Sequence, residues 1–414
     1  MKKLIAFAIV VVTPILAQQG RGSIQGTVSD SSGATIAGAN VSIVNVDTNT
    51  TFTTQTSEDG YYSAPTLAVG NYTVNVEKEG FKRAVRTGIT LQVDQRAQVD
   101  LTLDLGAVSE SVQVQGQAPL VDTGSASIGK VVENRRVVEL PLNGRNALAL
   151  TLLTPSVKSN AGPTNSGFGD RGIQLSSISI NGGPNAMNGQ LLDGGNNIQS
   201  YVGEVAINPG VDAVEEFKVQ SGAMSAEYGF TAGGIINMVT RSGTNSIHGT
   251  VYEFFRNDKL DARNTFSATK PPFRYNQYGA SGGAPIIRDR TFVFGNWEEY
   301  KYRRSEPRIG TFPTALQRTG DFSDLLNPQG ALIPIFDPST LRPNPNGTGF
   351  IRDQFPGNRI PTNRLDPVAL KIQENFYPLP NRTPTDPFTN ANNFGHLGSE
   401  IRDSRQFTIK VDHH

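Results

Sequence analysis

From residue 22 onward the chain is built of short segments of alternating side-chain character, cut by glycine and proline. In NYTVNVEK, residues 71–78, Tyr72, Val74 and Val76 fall on one side and Thr73, Asn75 and Glu77 on the other. A repeat of two belongs to a strand with one buried and one wet face; a helix repeats near 3.6. With 43 glycines and 25 prolines, turns are frequent, and long helices do not account for the fold. A mainly β architecture is expected.

The 37 basic and 37 acidic residues balance, which gives no electrostatic case for nucleic acid or an anionic membrane surface as a partner. Cysteine is absent, so there is no disulfide framework and no thiol chemistry. The four histidines, at 248, 396, 413 and 414, do not form a metal-binding pattern, and no metal or other cofactor is expected. At the N-terminus Lys2 and Lys3 precede an uncharged run from Leu4 to Ala17, LIAFAIVVVTPILA. A helix needs about 20 residues to cross a bilayer, and this run is shorter. A basic start, a short apolar run with Pro14 and a small residue at its end describe a signal peptide over residues 1–17, cleaved after Ala17. No later stretch is apolar enough for a spanning helix, so a membrane-resident mature chain would cross as a β-barrel.

Residues 18–105 read as a small β-sandwich of seven short alternating segments, with turns such as SSGAT, SEDG and AVG between them. The strings GTVSDSSGATIAGANVSI and SEDGYYSAPTLAVGNYTVNVEKEGF resemble the carboxypeptidase regulatory-like domain, a transthyretin-like sandwich. That resemblance implies a non-catalytic module with a carbohydrate-binding-like fold, and Asp59-Gly60 then reads as a turn. Residues 106–126 read as a linker. Within it Glu110, Ser111, Val112, Gln113, Val114 and Gln115 alternate like a strand with no sequence neighbour to pair with. They are either plain linker or a strand that adds itself to the sheet edge of another protein.

Residues 127–245 are a mixed α+β segment. A turn, LPLNGR, leads into a short helix with Leu148, Leu152 and Leu153 on one side, and VDAVEEFKVQSG passes from a helical turn into a strand. In EYGFTAGGIINMVTRSGTN, residues 227–245, Gly233 and Gly234 suit a tight turn and a close backbone approach; Ile235 to Thr240 form a strand, and a polar turn follows. From 246 aromatic residues alternate with polar ones. In RTFVFGNWEEYKYRR, Phe292, Phe294, Tyr300 and Tyr302 share one face, and Val293, Trp297, Glu299 and Lys301 the other. This is the pattern of a membrane β-strand, apolar outward and polar inward, and also that of a soluble two-faced sheet. Residues 304–400 hold 14 of the 25 prolines, so this stretch is expected to be a long loop, with one helix capped by Asp366, started by Pro367 and given an apolar side by Val368, Ala369, Ile372 and Phe376.

From Leu140 the strings LPLNGRNALALTLLTP, INGGPNAMNGQLLDGGNN and VEEFKVQSGAMSAEYGFTAGGIINMVTRSGTNSIHGTVYEFFRNDKLDARN, with TGDFSDLL, PGNRIP and YPLPN further on, resemble TonB-dependent outer-membrane receptors of the Oar-like type. The resemblance implies a regulatory-like sandwich, then a plug domain (127–245), then a barrel (246–414). It also implies energised transport across the outer membrane, driven by a TonB-like periplasmic partner and surrounded by outer-membrane lipid. About four barrel strands are legible where closure needs about eight or more, so the barrel is expected to be incomplete and the chain a fragment. By resemblance, Glu110 to Gln115 would pair with the periplasmic partner, and Gly233, Gly234, Arg241 and Gly243 would form the hinge between plug and wall. The alternative is a cell-surface adhesion or carbohydrate-binding protein whose sandwich takes a glycan or peptide ligand.

No enzyme is expected. Glu215-Glu216 and Glu298-Glu299 are adjacent pairs that point to opposite faces of a strand. The GASGG string around Ser281 lacks the helix that follows a nucleophile elbow, and GFGDRG, Gly167 to Gly172, lacks the strand and helix that flank a phosphate-binding loop.

Overall fold

In the computed structural model, residues 22–107, 111–115, 127–140, 142, 144–159, 178–184, 187–199, 204–224, 228, 231–265 and 270–414 are described. The expected signal peptide, Glu110 and the Gly167 to Gly172 string lie outside them. The fold forms two compact units, one of residues 1–253, 278–299 and 405–414, the other of residues 254–277 and 300–404.

The first unit opens with the sandwich. Its strands are β1 (Gly22–Asp30), β2 (Asn40–Asn45), β3 (Thr51–Gln55), β4 (Tyr61–Leu67), β5 (Gly70–Glu77), β6 (Arg83–Leu91), β7 (Arg96–Gln98) and β8 (Leu101–Leu103). One sheet has the order β4-β1-β7, with β8 also on β1; the other runs β3-β2-β5-β6 and ends on β9 (Ser111–Gln115). Tyr72, Val74 and Val76 are buried with Ile24, Ile43 and Ile89 in the core, as the repeat of two requires. At Gly60 φ is +70°, and a Cβ there would lie 2.7 Å from the Val28 carbonyl oxygen, so the turn needs glycine.

The expectation of an unpaired strand at 110–115 is corrected. β9 lies parallel to β6, with Ser111 opposite Arg83 and Gln115 opposite Thr87. A partner adjacent in space but distant in sequence supplies the ladder.

The middle segment is organised on a second sheet. β10 (Ile128–Glu133), β17 (Val214–Gly222), β18 (Ile235–Thr240), β13 (Gly189–Leu192) and β14 (Gly195–Asn196) lie in that order. Small two-stranded pieces, β11 (Val157–Ser159) with β12 (Ile178–Ile180) and β15 (Ile198–Gln199) with β16 (Glu204–Val205), flank it. All six residues of β18 are buried, as suits a strand with neighbours on both edges. The expected short helix is a 3-10 helix, Ala147–Leu153, capped by the Asn146 side chain. Its tighter winding buries Leu148 and Leu150 and leaves Leu152 and Leu153 exposed, which corrects the expected face.

The third sheet has the order β19 (His248–Asn257), β20 (Phe273–Ile287), β21 (Thr291–Gly310), β24 (Phe394–His413). Four strands leave it open. Ser281 lies within β20, in a strand rather than an elbow. On β24 the pattern of a membrane strand holds toward the C-terminal end, with Phe407, Ile409 and Val411 exposed, while Asp403 and Arg405 share that exposed face. On β21 it is reversed at one end. Phe292, Phe294 and Tyr302 are buried, while Trp297 on the other face is exposed. Packing on the inner face decides the orientation there.

The proline-rich loop is shorter than 304–400. β21 runs to Gly310, carrying Pro307 within it, and β24 begins at Phe394. The loop contains the short pair β22 (Arg342–Pro343) and β23 (Phe350–Ile351). It is tied together by Asn358, which is fully buried; its Nδ2 donates to the carbonyls of Phe322 (2.8 Å) and Ile333 (3.0 Å), and its Oδ1 accepts from the Ile335 amide (2.8 Å). The helix Pro367–Phe376 forms, and the Asp366 carboxylate accepts from the amides of Val368 (2.7 Å) and Ala369 (2.9 Å). Its apolar side is not buried: Val368, Ile372 and Phe376 are exposed.

Candidate functional site

Where the middle segment meets the β19-β20-β21-β24 wall within the first unit, charged side chains gather in two clusters, the first buried and the second half-buried. The first is centred on Arg145. This residue stands in left-handed backbone, φ +46°, just before the 3-10 helix, and its amide donates to the Leu142 carbonyl at 3.2 Å. Its guanidinium is paired with Asp212, and both side chains are nearly inaccessible. Asp212 is fixed by the turn Val211–Ala213 that starts β17. From the wall, the Tyr252 ring of β19 lies under the guanidinium at 4.6 Å, and Glu298 Oε2 of β21 is 4.0 Å from Nε. Glu298 is itself held: Tyr252 Oη donates to it at 2.7 Å, and Gln406 Nε2 of β24 at 3.0 Å. One cation of the middle segment is thus shared between a carboxylate of its own and a carboxylate and an aromatic face of the wall.

The second cluster lies at the end of β18. Arg241 Nε is 3.3 Å from Glu215 of β17, and its guanidinium stands 5.8 Å from the centre of the Phe294 ring of β21. Lys410 of β24 reaches the other way. Its Nζ donates to the Thr240 carbonyl at 3.0 Å and is 3.6 Å from Asp193, whose carboxylate also accepts from the Thr240 amide and hydroxyl. Neither cluster pairs a nucleophile with a base. Each joins the middle segment to the wall through charged side chains, those of the first cluster held away from water.

The geometry separates the two glutamate pairs as strand alternation requires. Glu298 enters the first cluster, whereas Glu299 pairs with the exposed Arg405 at 3.1 Å.

The comparisons bear on this arrangement. Residues 239–414 match the family described as the outer membrane beta barrel domain, and residues 23–104 the carboxypeptidase regulatory-like domain. TonB-dependent transporter Oar of Myxococcus xanthus is 28% identical over 255 residues, covering 59% of this chain and 23% of that protein. This chain is similar in sequence to that transporter. It spans 23% of the Oar sequence. Among solved structures, the siderophore receptor PirA from Acinetobacter baumannii is similar at 21% identity and TM-score 0.32, over 45% of this chain and 29% of the receptor. PirA from Pseudomonas aeruginosa follows at 16% and 0.31, over 43% and 30%. The match to the outer membrane beta barrel domain places the chain in the outer membrane.

Of the residues expected to form the hinge, Arg241 stands in the second cluster. Gly233, Gly234 and Gly243 are sites of close approach. A Cβ on Gly234 would lie 2.6 Å from the Gln220 carbonyl oxygen, and one on Gly233 2.2 Å from Asn188 Oδ1. A Cβ on Gly243 would lie 2.4 Å from the Val293 carbonyl oxygen and 2.8 Å from that of Ala284, both in the wall. The residues expected to meet a periplasmic partner, Ser111 to Gln115, form the edge strand of the sandwich sheet beside β6. Sequence reading missed Arg145, Asp212, Asp193, Glu298 and Lys410. The available signal was an inward-facing carboxylate on an otherwise aromatic strand face, at Glu298, which a wall next to lipid would not carry without a cation to meet it.

Proposed function

We propose that this chain is the N-terminal portion of a TonB-dependent outer-membrane transporter, in which residues 127–245 are a plug that gates passage of an unidentified substrate. The observation that carries the reading is Arg145. A buried guanidinium of the middle segment is paired with Asp212 and lies against the Tyr252 ring and the Glu298 carboxylate of the wall, which supports a segment fastened to the strands. Leaving one partner of such a buried pair alone costs about 3–5 kcal/mol, a cost that a movable seal can meet by keeping the pairs together or exchanging them. On this reading the charges hold the segment in place, in keeping with the similarity to a TonB-dependent transporter.

A gate needs a handle. Residues 110–115 are the proposed handle, a strand that a TonB-like periplasmic protein captures by adding it to its own sheet. β9 is the last strand of its sheet, so its outer edge can receive a partner, and full capture requires its release from β6. In the full-length protein, deletion of residues 108–116 is expected to abolish pull-down of the periplasmic partner. Pull-down at the level of the undeleted protein would contradict the assignment.

A further inference from the structure

Two turns of the sandwich reach beyond it within the first unit. The first joins β6 to β7. Val93 is fully buried, its amide donates to the Glu216 carboxylate, and Lys218 Nζ donates to the Asp94 carbonyl at 3.0 Å. The Asp94 carboxylate accepts from Asn237 Nδ2 (3.1 and 2.9 Å), Gln220 Nε2 (3.2 Å) and Tyr228 Oη (3.2 Å). Those donors belong to or adjoin β17 and β18, the strands that carry Glu215 and lead to Arg241.

The second turn joins β2 to β3. It is shaped by Asn45, whose Oδ1 accepts from the amides of Asp47 and Thr48. The Asn245 amide donates to the Asp47 carbonyl at 3.0 Å, and Asn49 Nδ2 donates to Asp289 Oδ1 at 2.9 Å. Asp289 is in the tight turn between β20 and β21 and also accepts from Asn245 Nδ2 at 2.8 Å. Both tips stand in left-handed backbone, Asp94 at φ +54° and Asn49 at φ +56°, a conformation that aspartate and asparagine tolerate better than most residues.

We infer that the sandwich is a brace on the gate. One packed body is tied at Asp94 to the middle sheet and at Asn49 to the wall turn, so the middle sheet does not shift along the wall until one tie opens. That the middle sheet is the part that shifts rests on the proposed function; that the ties restrain it does not. Each tie is a small set of hydrogen bonds, mostly to the Asp94 carboxylate in the first and to the Asp289 carboxylate and Asp47 carbonyl in the second, which water can replace one at a time, so the brace can open without unfolding the sandwich.

The test is hydrogen–deuterium exchange of the full-length protein in detergent. Asp94→Ala is expected to speed exchange in residues 216–220 and 235–239 by about tenfold while leaving β2 and β5 of the sandwich unchanged. Asn49→Ala is expected to act instead on residues 244–248 and 287–291. Should Asp94→Ala fail to fold, Asn237→Asp, which sets two carboxylates against each other, is expected to speed exchange of β18. Adding Asp94→Asn to it is expected to slow exchange again, because donor and acceptor are then swapped. Wild-type exchange in the Asp94 and Asn237 variants, or no recovery in the swapped pair, overturns the brace. None of these readings depends on transport, so their failure is distinct from failure of the partner pull-down.

Discussion

The residue that most clearly reports on the sandwich contact is Glu216. Burial pushes its carboxyl up to about 7. The hydrogen bond from the Val93 amide opposes that rise, Glu215 and Glu133 add to it, and Lys218 opposes it. A carboxyl raised in the folded state binds its proton more tightly there than when unfolded. Its contribution to stability is therefore fully present below the ordinary value of 4.5 and is lost as pH rises through about 7. The melting temperature of the wild-type protein is expected to fall across that window, and Glu216→Gln is expected to remove most of the fall. Parallel slopes in the two proteins would contradict the assignment. Little of this was legible beforehand. Adjacent glutamates on a strand were read correctly as facing opposite ways, but what lay opposite Glu216 is a turn 123 residues away in sequence, and no local pattern records it.

At the scale of the element, alternation carried most of the information. β5 and β18 stand close to where their patterns put them, because a repeat of two and a bounding glycine or proline act within a few residues. The failures share one cause. β9 has a partner, the 3-10 helix turns a different face inward, and Phe292 and Phe294 point into the protein; in each case a distant surface decides between options that are locally equal. Gly243 shows how tight one such approach is. Gly243→Ala is expected to destabilise the protein by roughly 1–3 kcal/mol, because the added Cβ meets two wall carbonyls and backbone cannot step aside. Gly295→Ala in β21, where a Cβ meets nothing within 4 Å, is the control and is expected to leave thermal unfolding almost unchanged. Equal melting of the two variants would show that the connection does not press on the wall.

At the scale of the whole molecule, the order of sandwich, mixed segment and aromatic strands was legible from composition and pattern. The outer-membrane barrel domain and the regulatory-like domain fall where that order put them. The charges that fasten the middle segment were not legible. Arg145, Asp212 and Glu298 are spread over 154 positions, and each alone reads as an ordinary surface residue. Their meeting fastens the loop-rich segment to the wall, and the proposed gate rests on it. Ion conductance of the full-length protein in planar lipid bilayers tests it most directly. The wild-type protein is expected to stay closed, and the double variant Arg145→Ala, Glu298→Ala to show openings at least about tenfold more often, as loss of roughly 1.4 kcal/mol or more of closed-state preference requires. A wild-type protein that conducts steadily, or a double variant as silent as the wild type, would contradict the claim that these residues hold the gate shut.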